Sequence, residues 1–181
     1  MAGSTVWLTP WGGKGGNTWQ FIIPDGARII KISVRSGDIL DSISLTYKDE
    51  SGYIFSEKYG GNGGLLHNIE LADNENLVGI SGRFGTFQNI TAITSFSFQT
   101  NIKTYGPFGI NGGTDFSVGL AEGKFFGFYG RSGSYIDALG SYNTPILPWA
   151  PPMVLPSIYQ SIHTHPESNT HLIIPQSGVR S

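Results

Sequence analysis

The stretch Phe125-Phe-Gly-Phe-Tyr-Gly-Arg-Ser-Gly-Ser-Tyr-Ile-Asp-Ala-Leu-Gly-Ser-Tyr142 places two β-rich segments, residues 125–129 and 136–142, on either side of one short loop. That loop opens on Gly133 and closes on Asp137. Glycine lets the backbone turn tightly and brings successive N–H groups to the surface. The aspartate adds a carboxylate that, when ionised, only accepts hydrogen bonds. Several donors and one acceptor on a tight loop suit adjacent hydroxyl groups such as those of a sugar.

Working outward, the same elements recur. Trp11-Gly-Gly-Lys-Gly-Gly16 returns as Tyr59-Gly-Gly-Asn-Gly-Gly64, and in looser form as Tyr105-Gly-Pro-Phe-Gly-Ile-Asn-Gly-Gly113. The aromatic starts are 48 and 46 residues apart. A second element follows each: Ser36-Gly-Asp-Ile-Leu-Asp41, then Ser81-Gly-Arg-Phe-Gly-Thr86, then Ser132-Gly-Ser-Tyr-Ile-Asp137. Between them run alternating patterns such as Ile43-Ser-Leu-Thr-Tyr47 and Ile93-Thr-Ser-Phe-Ser-Phe98, the period-2 signature of half-buried strands. The β-branched run Ala27-Arg-Ile-Ile-Lys-Ile-Ser-Val-Arg35 suits a strand as well. No helical pattern stands out before residue 146. The reading is all-β, with three units of about four strands each sharing one core, because a unit of that size cannot bury its apolar face alone.

Composition agrees and sets limits. Charged residues make up 13% of the 181-residue chain, well below the usual share of about 25%. The net charge of -2 supplies no basic footprint for nucleic acid. There are no cysteines, hence no disulfide, thiol chemistry or cysteine metal site. No stretch is long and apolar enough to span a membrane, and the first residues carry no basic start or apolar core of a secretory signal. The expected location is cytoplasmic or nucleocytoplasmic. From Asn143 to Pro156 the chain holds five of its ten prolines, a density incompatible with a sheet interior. Residues 1–144 are therefore read as the domain and 145–181 as a proline-rich, irregular extension.

The aromatic-Gly-Gly-x-Gly-Gly starts, the Gly-x-x-x-Asp loops and the runs Tyr105-Gly-Pro-Phe-Gly109 and 127–142 together resemble the jacalin-related lectins over residues 5–144. The resemblance implies a β-prism I of three four-stranded Greek-key sheets, and reversible carbohydrate binding without catalysis, cofactor or metal. It implies a first site pairing Gly16 with Gly133, Ser134, Tyr135 and Asp137. There the carboxylate accepts from O4 and O6, and backbone N–H groups serve O3, O4, O6 and the ring oxygen. Tyr135 walls the sugar. A second site, as in banana-type members, pairs Gly64 with Gly37, Asp38, Ile39 and Asp41. The third unit offers Gly113 no aspartate in 82–86 and is expected to be structural. An uninterrupted first glycine loop points to the mannose/glucose branch rather than the galactose branch. Expected partners are mannose- or glucose-containing glycans and glycoproteins, bound by a homo-oligomer (dimer or tetramer), in plant defence or stress response.

Other readings of the same residues are weaker. Asp41 and Asp137 do not suit a glycosidase pair, because equivalent loops of repeated units lie apart around the axis. His163, His165 and His171 are read as tail residues rather than metal ligands, and His67, Trp7, Trp11 and Trp19 as packing residues. Trp149 has no assigned role. Asn89-Ile-Thr91 is a glycosylation sequon of use only on a secretory route. The alternative to a lectin is an interaction or structural prism with vestigial sugar sites and a tail that docks a protein partner.

Overall fold

The computed structural model describes residues 9–145, apart from Asn111, Ala121 and Glu122. Trp7, Trp149, the three tail histidines and most of the proline-rich extension lie outside the described residues. Twelve strands run in order: β1 Trp11–Gly12, β2 Asn17–Ile22, β3 Arg28–Ser36, β4 Leu40–Lys48, β5 Ile54–Gly60, β6 Leu65–Glu70, β7 Leu77–Phe87, β8 Ile90–Thr100, β9 Thr104–Phe108, β10 Thr114–Gly119, β11 Gly123–Ser132 and β12 Ile136–Pro145. They form three antiparallel four-stranded sheets of order β1-β12-β11-β2, β5-β4-β3-β6 and β10-β7-β8-β9, called A, B and C below. Each is a Greek key: one hairpin lies in the middle and the two strands of another glycine-loop hairpin flank it. Sheet A joins the first described strands, β1 and β2, to the last two, β11 and β12, so the domain closes on itself.

The alternation read in the sequence explains which face goes inward. Ile32, Val34, Leu40, Ile43 and Leu45 of sheet B, Ile93, Phe96 and Phe98 of sheet C, and Phe21, Phe128, Ile136 and Leu139 of sheet A are buried in one common core. Most come from the central hairpins. The seams between sheets repeat with threefold regularity. Trp11 stacks on Phe116 of sheet C, Tyr59 on Trp19 of sheet A, and Phe108 packs on His67 of sheet B, with ring centroids at 4.9, 4.2 and 5.1 Å. Such contacts add to area burial. His67, Trp11 and Trp19 are thus packing residues.

Three expectations about repeats and strands are corrected here. The third aromatic start is Phe108, not Tyr105, because Phe108 pairs with Phe96 as Trp11 pairs with Leu139 and Tyr59 with Ile43. Nor are Ser81 and Gly82 a loop. They sit mid-strand, paired with Ser97 and Phe96 on one side and Ser117 and Phe116 on the other. The proline density from Asn143 onward speaks against a sheet interior. Yet Asn143, Thr144 and Pro145 pair with Phe125, Lys124 and Gly123. Pro145 ends its strand there, beyond the short β1 that pairs only at Leu139 and Ala138, a position a sheet tolerates.

Candidate functional site

One end of the domain carries all three glycine loops and all three central-hairpin turns. In sheet A, Gly13 N–H donates to Asp137 O at 2.7 Å; in sheet B, Gly61 N–H donates to Asp41 O at 2.9 Å. These bonds lay each glycine loop over the aspartate of its own sheet. A Cβ on Gly15 would come within 2.5 Å of Asp137 Oδ1 and one on Gly63 within 2.3 Å of Asp41 Oδ1. Gly16 and Gly64 have φ of +59° and +61°, a region that side chains other than glycine enter only with strain. The glycines are thus required both by conformation and by the carboxylate beneath them.

The structure therefore brings Gly16 to Gly133, Ser134, Tyr135 and Asp137, and Gly64 to Gly37, Asp38, Ile39 and Asp41, as two like arrangements. Gly133 N–H turns back to Tyr135 O, and Gly37 N–H to Ile39 O, at 3.0 and 3.1 Å. The carboxylates are deeply set: Asp137 is 5% exposed and Asp41 6%. Burial pushes the Asp137 carboxyl above its ordinary range, against the Gly133 N–H and the Arg131 charge, which favour the ion. Asp41 is raised in the same way, opposed by the Gly37 N–H and Arg35, with Asp38 adding to the rise. Each is a buried acceptor whose surroundings under-supply it with donors.

The pairs differ in their walls. Tyr135 is half-buried and meets Phe87, at the end of β7 in sheet C, edge to face at 5.8 Å. Ile39, its counterpart, is 1% exposed and belongs to the core, so only its backbone borders the second arrangement. Phe87 was missed in the sequence because it lies in another repeat. It arrives because β7 and β8 extend past their equivalents to a turn at Gln88 and Asn89, both with positive φ. The sequon asparagine is therefore exposed at a hairpin tip.

Also missed were Arg35 and Arg131, although Arg35, Arg83 and Arg131 recur every 48 residues. Each sits on the first strand of its central hairpin, immediately before a shift of register. Arg131 donates from Nε to Gly15 O at 2.8 Å and from Nη2 to Gly16 O at 2.7 Å. Arg35 donates from Nε to Gly63 O at 3.0 Å and Asn62 O at 3.2 Å.

The third loop pair is built differently. The register places Thr94, not an aspartate, where Asp41 and Asp137 stand, and Gly112 and Gly113 where Gly15 and Gly16 stand. Thr94 Oγ1 donates to Gly112 O at 3.0 Å, while Arg83 turns to Asp115 at 2.8 Å. A groove of about 750 Å³ floored by Tyr129, Gly130 and Arg131 runs up to Gly12, Gly13 and Lys14 of the first glycine loop, but Asp137 does not line it.

Three Greek-key sheets about a common core, with paired loops at one end, define the protein as a β-prism I. The model of the jacalin-like lectin domain matches residues 8–142, and the chain belongs to that family. A mannose/glucose-specific lectin of Parkia pendula is 38% identical over 149 residues, covering 78% of this chain and 32% of its own. The structure of a wild-type Malaysian banana lectin superposes with a TM-score of 0.73 at 38% identity, covering 78% of this chain and 99% of that one. That of a mannose-specific jacalin-related lectin from Morus nigra, in complex with mannose, gives 0.70 at 34% identity, over 79% and 96%. The chain spans 27–32% of the length of the first curated relatives it matches.

Proposed function

We propose that this chain is a non-enzymatic lectin that binds mannose- or glucose-type units of glycans at two loop pairs. The observation that carries the reading is the pair of buried carboxylates, Asp137 and Asp41, each roofed by a glycine loop and raised in pKa by burial. A sugar supplies the missing donors as two adjacent hydroxyls, and charge-assisted bonds of this kind are the strong ones. Backbone N–H groups of Gly16, Ser134 and Tyr135 read the remaining oxygens in the first site, while the Gly133 N–H holds the turn by donating to Tyr135 O. Gly64, Asp38 and Ile39 do so in the second, where the Gly37 N–H likewise donates to Ile39 O. The mannose complex of the Morus nigra relative supports the choice of sugar. Against hydrolysis, loops 12–16 and 132–137 hold one carboxylate between them, whereas glycoside cleavage canonically uses two across a single bond.

Monosaccharide contacts of this type are weak, so two sites per chain and assembly into a dimer or tetramer would supply avidity. Calorimetric titration with methyl α-mannoside tests the reading. The parent is expected to bind at two sites, with Asp137→Ala and Asp41→Ala each losing one. A folded parent giving no heat with mannose, glucose or galactose would overturn it and favour an interaction module.

A further inference from the structure

We propose that Arg131 and Arg35 are positioning residues that set the direction of the sugar-facing peptide in each glycine loop, and that the third loop pair is closed because its equivalent peptide is turned the other way. The proposal rests on the lectin reading for its consequence, though not for its geometry.

A peptide unit is planar and trans, so the C=O of one residue and the N–H of the next point in opposite directions. Arg131 Nε holds Gly15 O at 2.8 Å. The N–H that shares this plane is that of Gly16, which is thereby aimed away from the guanidinium. Arg35 Nε holds Gly63 O at 3.0 Å and aims the Gly64 N–H in the same sense. These are the two glycines assigned to sugar binding. A glycine-rich loop has little of its own to fix a peptide's orientation. Arg131 meets two carbonyls of its loop with two arms of its planar fork, and Arg35 shares its Nε–H between two; the fixed plane of the guanidinium suits the task in a way a lysine does not.

The third unit supplies the contrast. Its carbonyl, Gly112 O, is held from the acceptor side by Thr94 Oγ1 at 3.0 Å. Its arginine, Arg83, is engaged by Asp115 at 2.8 Å. The peptide between Gly112 and Gly113 is therefore held from the opposite side, and Gly113 takes φ of +156° in place of +59° and +61°. Acceptor and donor are lost together: a hydroxyl replaces the carboxylate, and that hydroxyl is already bonded to the loop. The register shift immediately after Arg35, Arg83 and Arg131 re-aims each side chain along the sheet end, as bulges near functional sites do. The three units therefore differ in two linked ways: in what each arginine finds within reach, and in whether an aspartate or Thr94 lies under the loop.

The test isolates one site at a time. Arg131→Gln is placed on the Asp41→Ala background and Arg35→Gln on Asp137→Ala, and each is titrated with methyl α-mannoside beside its parent. The expected result is a loss of at least tenfold in affinity at the remaining site, with an unchanged melting temperature. Arg131→Lys should restore part of it, since an ammonium reaches one carbonyl but does not reproduce the fork. Arg83→Gln, in the otherwise unaltered chain, should leave both sites within twofold. In the unliganded protein, amide hydrogen exchange across residues 13–16 should quicken in Arg131→Gln while the core amides stay slow. Affinity at the remaining site within twofold of the parent, or a loss that comes with a falling melting temperature, overturns the proposal. If the parent binds no sugar, the lectin reading fails by itself. The exchange measurement then still decides the clamp, and unchanged exchange refutes it.

Discussion

Glu75 and Asp137 are buried to the same extent, each 5% exposed, yet their acidities move in opposite directions. Glu75 lies in the loop before β7, at the end of the prism away from the glycine loops. Burial raises its pKa, but donors outweigh it: Thr100 Oγ1 and Tyr105 OH at 2.7 Å on one oxygen and Ala72 N–H at 3.2 Å on the other, with the Lys103 charge nearby. The net shift is downward. Around Asp137 burial wins over the Gly133 N–H and Arg131, and the net shift is upward. One carboxylate completes a structural knot and the other is left under-supplied. Within a single fold, that difference separates a residue that holds the protein together from one placed to meet something else.

The most direct way to break the comparison is to remove each carboxylate in turn. Glu75→Ala leaves three donors without their acceptor and should destabilise by about 3 kcal/mol, since each buried unsatisfied group costs roughly 1–3 kcal/mol. Asp137→Ala removes a buried charge that burial disfavours, and should leave stability in denaturant at or above that of the parent while one sugar site is lost. A destabilisation of Asp137→Ala comparable to that of Glu75→Ala would make Asp137 a structural carboxylate like the other.

Next in size is the roof over the carboxylate. Gly16→Ala forces a side chain into φ of +59° with its Cβ 2.7 Å from Asp137 Oδ2. It is expected to cost about 2 kcal/mol, within the usual range for a strained backbone, and to abolish the first site. Gly52, in the turn after β4, has φ of +88° but open space around it. Gly52→Ala should cost about 1 kcal/mol by the conformational effect alone and spare both sites. Thermal melts and titrations of the two variants separate strain from collision.

These contrasts show which parts of the chain could be read without coordinates. The two aspartate loops and the glycine loops facing them were legible, because tight turns impose residue types at fixed spacing and the spacing repeats. The third unit misled because an insertion lengthens the β7–β8 hairpin, and a Ser-Gly at 81 imitates the loop starts at 36 and 132. The pairing partners of Ser81 settle the matter, and pairing is a property of the sheet rather than of a local pattern. Arg35, Arg83 and Arg131 were visible as a 48-residue period, yet their roles depend on whether the nearest acceptor is a loop carbonyl or Asp115. Phe87 reaches Tyr135 across two sheets. No local pattern encodes that contact.

Acidity provides the subtlest way to sharpen the comparison. For Asp137 the folded pKa stands above the unfolded value of 3.8, so ionisation is disfavoured by folding. On this group alone, stability improves as pH falls through the folded pKa, and the gain is complete below 3.8. For Glu75 the folded pKa stands below 4.5, so its contribution is present above that value and is lost as pH falls through the folded pKa. Mannoside binding needs the ionised aspartate and should weaken on acidification, halving at an apparent pKa above 3.8 for the first site measured alone on the Asp41→Ala background. Removing the Arg131 charge, which favours the ion, should move that midpoint upward, whereas Glu75→Gln should leave it in place. A binding midpoint that followed Glu75 rather than Arg131 would mean that acid acts through the fold and not through the carboxylate under the glycine loop.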